Sequence, residues 1–136
     1  MRKVTFEEAI SQILKDDPRY APEAYQFIRE ALDFTTQLLK KPAEGPGRHV
    51  TGAELLEGIR QYTLKEYGPL AMTVLNAWGI RKCKDFGQVV FNLVNKEFLG
   101  RTDDDSVHDF DGGYDFETAF RAPFVPGKKR GIQNTE

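Results

Sequence analysis

At 136 residues the chain has room for one domain and would be cramped as two, and it should bury about two-thirds of its unfolded surface, so no metal or disulfide is needed to hold it. With 40% hydrophobic and 29% charged residues it reads as globular rather than disordered, and a net charge of −2 lacks the basic surplus usual in nucleic-acid scaffolds. One cysteine cannot form an internal disulfide, MRKVTFEEAI has no signal-peptide core, and no run nears the roughly 20 apolar residues of a membrane span, so a cytoplasmic protein with no membrane partner is expected.

Thr5 and Glu8 have the spacing of a capping box, in which each side chain satisfies the other's free backbone N–H. Phe6, Ala9, Ile10, Ile13 and Leu14 then recur at helical spacing, and Asp16, Asp17 and Pro18 end that first helix. Pro22 suits the first turn of a second, because its missing N–H would be unpaired there anyway. Ala24, Phe27, Ile28, Ala31, Leu32, Thr35, Leu38 and Leu39 carry its apolar stripe. Residues 41–49, with two prolines and two glycines, form a loop. Thr51 and Glu54 make a second capping box, with Val50 and Leu55 placed as a hydrophobic staple.

The third helix presents Leu55, Leu56, Ile59, Tyr62 and Thr63, and Gly68 closes it. Pro69 opens a fourth with Leu70, Ala71, Val74, Leu75 and Trp78 on one face, and Gly79 stops it. Asp85 and Gln88 begin a fifth, whose Phe86, Val89, Val90, Leu93, Val94 and Phe98 lead to Gly100. From Thr102 the texture changes: residues 102–117 hold six aspartates and one glutamate interleaved with Phe110, Tyr114 and Phe116, and Phe120 and Phe124 follow. The expectation is a mainly α, compact five-helix domain over 1–125, with an irregular acidic–aromatic C-terminal segment packed on it. Residues 126–136 read as a flexible polar tail.

Chemistry-bearing patterns are sparse. If Gly112 took the glycine position of a calcium loop, Val107 and Thr118 would fall on its first and twelfth positions, where carboxylates are needed, so the EF-hand fails. Aspartates facing water while the aromatics anchor the segment is the better reading; a looser cation site or a docking surface at Asp109, Phe110, Asp111, Tyr114, Asp115 and Phe116 stays open. His49, Cys83 and His108 lie in separate segments without zinc-ligand spacing, and Cys83 reads as an incidental turn cysteine, although Lys82 and Lys84 could activate it.

Helices four and five invite comparison with a helix-turn-helix. Arg81, Lys82 and Lys84 could meet phosphates, but Gln88, Asn92, Asn95 and Lys96 offer no arginine to read bases. Asp85-Phe86-Gly87 matches the magnesium tripeptide of protein kinases with none of its accompanying motifs, and Gly45 to Arg48 has no P-loop ending.

FEEAISQILKDDPRYAPEAYQFIREAL, HVTGAELLEGIRQYTLKEYGPLAMTVLNAWGI, DFGQVVFNLV and DGGYDFETAF together resemble a small uncharacterised bacterial family described chiefly from planctomycetes and verrucomicrobia. The resemblance spans about residues 4 to 125. It implies a bacterial cytosolic protein whose acidic–aromatic end belongs to the domain, and carries over no activity, cofactor or site residue.

Three functions follow in order of preference. The first is a non-enzymatic binding or adaptor module, acting on a protein partner or as a homo-oligomer, with no cofactor and no metal. The second is nucleic-acid binding through the turn 81–84, Arg101 and the basic tail Lys128 to Arg130. The third is an enzyme with a dispersed site drawn from His49, Tyr62, Asp85 and His108.

Overall fold

Reciprocal caps open two of the helices. In a computed structural model, which describes residues 5–42, 47, 49–96, 99 and 107–126, α1 spans Phe6–Asp16. Thr5 Oγ1 accepts from the Glu8 N–H at 3.1 Å while Glu8 Oε1 accepts from the Thr5 N–H at 2.9 Å. The same pair of bonds, at the same lengths, joins Thr51 and Glu54 at the start of α3, Gly52–Tyr67. Such caps contribute about 1 kcal/mol each by satisfying backbone donors that a helix leaves unpaired. Between them lies α2, Pro22–Leu38, opened by its proline without a side-chain cap.

Beyond α3, Pro69 opens a 3₁₀ turn, Gly68–Leu70, and only then α4, Ala71–Ala77. Gly79, at φ +90°, turns the chain into α5, Cys83–Asn95. The backbone passes so close to the Arg19 carbonyl there that a Cβ on Gly79 could not fit. The Ala21 N–H donates to the Trp78 carbonyl at 3.0 Å, so the α1–α2 connection is pinned to the α4–α5 turn.

The five helices share one apolar cluster running from Phe6 to Phe120, and no strand occurs among the described residues. α2 and α3 lie antiparallel, with Phe34 beside Tyr62 and Phe27 beside Tyr67. They fit tightly at Gly58, whose missing side chain leaves room for buried Thr35. α5 packs on α1, α2 and α3 and buries Phe86, Val89 and Leu93 completely.

The C-terminal segment folds over this bundle as the aromatic spacing predicts, but it is more regular than expected. A 3₁₀ turn, Val107–Phe110, lies on α5 and α3. One turn of π-helix, Glu117–Arg121, closed by the Ala122 N–H on the Glu117 carbonyl, rests on α3 and α4. A last 3₁₀ turn covers Ala122–Phe124. Phe110, Phe116 and Phe120 are buried, and the last two stack edge to face at 5.0 Å.

Several expectations need correction. Leu38, Leu39 and Leu70 are exposed, at 45, 40 and 62%: the first two are the last residue and the C-cap of α2, and Leu70 lies on the 3₁₀ turn before α4 and not on that helix. Tyr25, outside the predicted stripe, is fully buried. α5 begins two residues before Asp85, so Cys83 is a buried first-turn residue and not a turn cysteine. Asp85 still caps, from inside the helix, by accepting from the N–H groups of Arg81 at 2.9 Å and Lys82 at 3.2 Å. The helix is described to Asn95. Phe98, Gly100, Arg101, the run Asp103 to Asp105, residues 43–46 of the loop and the tail residues 127–136 with Lys128 to Arg130 lie outside the described residues.

Candidate interaction surface

The acidic–aromatic segment divides by face. Asp109, Asp111 and Asp115 are exposed, whereas Phe110 and Phe116 point into the core and cannot serve a docking surface there. The reason is packing: Phe110 fills the notch left by Gly87 on α5, and Phe116 meets Phe86 at 5.5 Å. Tyr114 is half-buried and donates its hydroxyl to the Leu56 carbonyl at 2.9 Å, and burial pushes that hydroxyl well above the usual phenol range. Asp115 is engaged by its own turn, accepting from the Thr118 N–H at 3.1 Å. Asp111 pairs with His108 at 3.0 Å. Among the described residues no three His, Cys, Asp or Glu side chains gather as a metal-ligand set.

The basic turn keeps Arg81, Lys82 and Lys84 exposed. The helix behind it is committed elsewhere. Asn92 donates to Asp17 Oδ2 and to the Tyr25 hydroxyl, both at 3.0 Å, and Gln88 Oε1 accepts from Arg19 at 3.3 Å. With α4 only seven residues long and α5 packed by α1 and α2, these amides face the protein, not a groove. The kinase-like tripeptide is likewise explained locally, by a capping Asp85, a core Phe86 and a Gly87 notch for Phe110.

The structure converges titratable groups that the sequence keeps far apart. Arg19 grips Asp17 through Nε and Nη2, both at 2.7 Å, and Tyr20 donates to Asp85 at 2.7 Å. With Tyr25, Gln88 and Asn92 they form a polar clasp between the α1–α2 connection and α5. Its members hydrogen-bond to one another within the chain, tying the α1–α2 connection to α5. Of the dispersed candidates, Asp85 belongs to this clasp and Tyr62 pairs with Glu30. His108 lies exposed on the 3₁₀ turn, Val107–Phe110. Burial raises the Cys83 thiol above its ordinary range, the opposite of the activation that Lys82 and Lys84 suggested.

Asp17 makes the clasp acid-sensitive. The Arg19 guanidinium holds its carboxyl far below the usual carboxylate range, so the charged form favours folding. That contribution is fully present above its unfolded value near pH 4 and is lost as pH falls toward the folded one. Asp17→Asn should therefore be less stable by about 1–3 kcal/mol at neutral pH, and the gap to the native chain should narrow below about pH 4. Urea midpoints measured across that range check both.

A different surface emerges that spacing alone does not show. Phe34, Tyr62, Tyr67 and Trp78 are each half-buried; Tyr62, Tyr67 and Trp78 pack around buried Phe27, and Phe34 packs on Tyr62. Ring centroids are 5.2 Å from Phe34 to Tyr62, 5.3 Å from Phe27 to Trp78 and 5.9 Å from Tyr67 to Trp78. Exposed Leu70 follows on the turn after Tyr67. Tyr62 donates to Glu30 at 3.3 Å, and burial with the charges of Glu30 and Glu66 pushes its hydroxyl up to about 12. Phe34 and Tyr67 carry no recognisable signal in the sequence; the band exists only because α2, α3 and the end of α4 meet.

No family model matches this chain, and neither a curated protein nor a solved structure matches it.

Proposed function

We propose that the chain is a non-enzymatic protein-binding module and that its partner docks on the aromatic band formed by α2, α3 and Trp78. One observation carries the reading: Phe34, Tyr62, Tyr67 and Trp78 all stay partly exposed in one connected set of ring contacts that spans α2, α3 and the end of α4. Interface cores are enriched in Tyr, Trp and Phe because these rings bring large apolar area at low entropic cost. The bland alternative, that the band is just the outer edge of the core, predicts no partner. The basic turn at Arg81, Lys82 and Lys84 and the aspartates at 109, 111 and 115 remain accessory contacts at most under this reading.

A photo-crosslinking amino acid at exposed Leu70 should trap a partner in extracts of the source cells, whereas the same group at exposed Gln12 on α1 should not. Equal trapping from both positions, or none from either, would sink the proposal. An adduct of twice the chain's mass would identify a second copy as the occupant.

A further inference from the structure

We infer that the aromatic band recognises a cationic segment, a peptide presenting lysine or arginine beside apolar residues; this rests on the band being the docking surface. Three features of the band support it. Glu30 and Glu66 are both exposed and both act electrostatically on Tyr62 and Tyr67, so the rings lie in a locally negative field. Neither carboxylate makes an ion pair among the described residues. Glu30 is held by two neutral donors, Gln26 Nε2 at 3.0 Å and the Tyr62 hydroxyl at 3.3 Å. Their charges thus lack an ion-pair partner there, unlike those of Glu54 and Glu57 on α3, which are paired to Lys41 and Arg60.

The third feature is that the band already holds a cation. The Lys65 ammonium sits over the Phe34 ring, 5.6 Å from its centroid, without a carboxylate partner among the described residues. Ring faces attract cations through their quadrupole, and tryptophan does so best. Tyr62, in ring contact with Phe34, continues this aromatic surface through Phe27 to Tyr67 and Trp78, and Glu30 and Glu66 supply negative charge at Tyr62 and Tyr67. A guanidinium or ammonium placed there would gain ring contact and carboxylate attraction together, while an anionic segment would meet two unpaired glutamates.

Trp78 is the only tryptophan in the chain, so its emission reports the band directly. The test titrates the full chain with a synthetic peptide of arginine and lysine alternating with leucine, and with a counterpart carrying glutamate at every basic position. The basic peptide should shift Trp78 emission and shield it from acrylamide, and the acidic one should not. The double variant Glu30→Gln, Glu66→Gln replaces exposed carboxylates with amides of the same shape. It should keep the native far-ultraviolet dichroism and bind the basic peptide about tenfold more weakly at low salt.

Equal response to both peptides, or undiminished binding by the double variant, overturns the cationic preference while leaving the band as an interface. No response to either peptide also overturns it, and crosslinking from Leu70 then decides separately whether the band docks anything. Emission that changes with protein concentration alone assigns the band to a second copy and overturns it as well.

Discussion

Phe120→Ala should lower the unfolding free energy by about 3–5 kcal/mol, the usual cost of removing a large aromatic side chain from a packed interior. Phe120 is 1% exposed and stands edge-on to Phe116 at 5.0 Å and to Tyr114 at 5.7 Å. Removing its ring strips these partners of contact as well as leaving a void. A domain of this size has a total stability on the order of 5–15 kcal/mol, so the variant should melt roughly 10–15 °C lower. Phe124, four residues on and 42% exposed, is the internal control. Its alanine variant should fall within about 1 kcal/mol of the native chain. Thermal melts of the two variants measure whether the C-terminal segment is part of the folded core or an attachment; equal, small effects would mean the latter.

The second large effect is expected at the α2–α3 crossing. A Cβ added to Gly58 would overlap the Thr35 hydroxyl and lie 2.7 Å from its Cβ and 2.8 Å from its Cγ2. Thr35 cannot turn away cheaply: it is fully buried and its hydroxyl donates to the Ala31 carbonyl at 2.7 Å. Gly58→Ala gains up to about 1 kcal/mol in helix propensity, but overpacking of this kind costs about 1–3 kcal/mol or more. The net should be a loss of about 2 kcal/mol. Moving the notch to the other helix distinguishes a steric cause from any other. In the pair Gly58→Ala, Thr35→Gly the sum of the single losses should exceed the double loss by about 1 kcal/mol or more. Strict additivity in urea titrations would show that the two positions do not compete for space.

Local signals in the chain were readable and distant ones were not. The two capping boxes depend on residues three apart, so Thr5 with Glu8 and Thr51 with Glu54 declare their helices without reference to the rest. Periodicity says which residues share a face, but it does not fix where a helix begins and ends, and Leu38, Leu39 and Leu70 sit at or beyond the ends of α2 and α4. α5 is mis-started because its flanking residue is Lys82, a type that offers no side-chain acceptor, while the capping carboxylate sits three residues in. The anchoring role of Phe110 and Phe116 is legible as aromatic spacing, but the close fits at Gly87 on α5 and at the segment's own Gly113 are not, since they matter only once α5 and α3 stand beside it. The clasp and the aromatic band belong to the same category. Asp17 and Asn92 are 75 positions apart, and the band joins Phe34 of α2, Tyr62 and Tyr67 of α3 and Trp78 at the end of α4.

The lid-like seat of Tyr114 over Cys83 has a kinetic consequence. The Tyr114 N–H donates to Sγ and the thiol points at the Tyr114 carbonyl, each at 3.4 Å, while Gly113 comes close enough to exclude any larger residue. An electrophile or oxidant can reach this sulfur only when residues 113–116 lift away, so its reaction rate is set by how often the segment opens, multiplied by the intrinsic rate of a free thiol. The reactivity of the chain's single sulfhydryl thereby reports opening of its own C-terminal cover, whether that cover lifts alone or together with the helices.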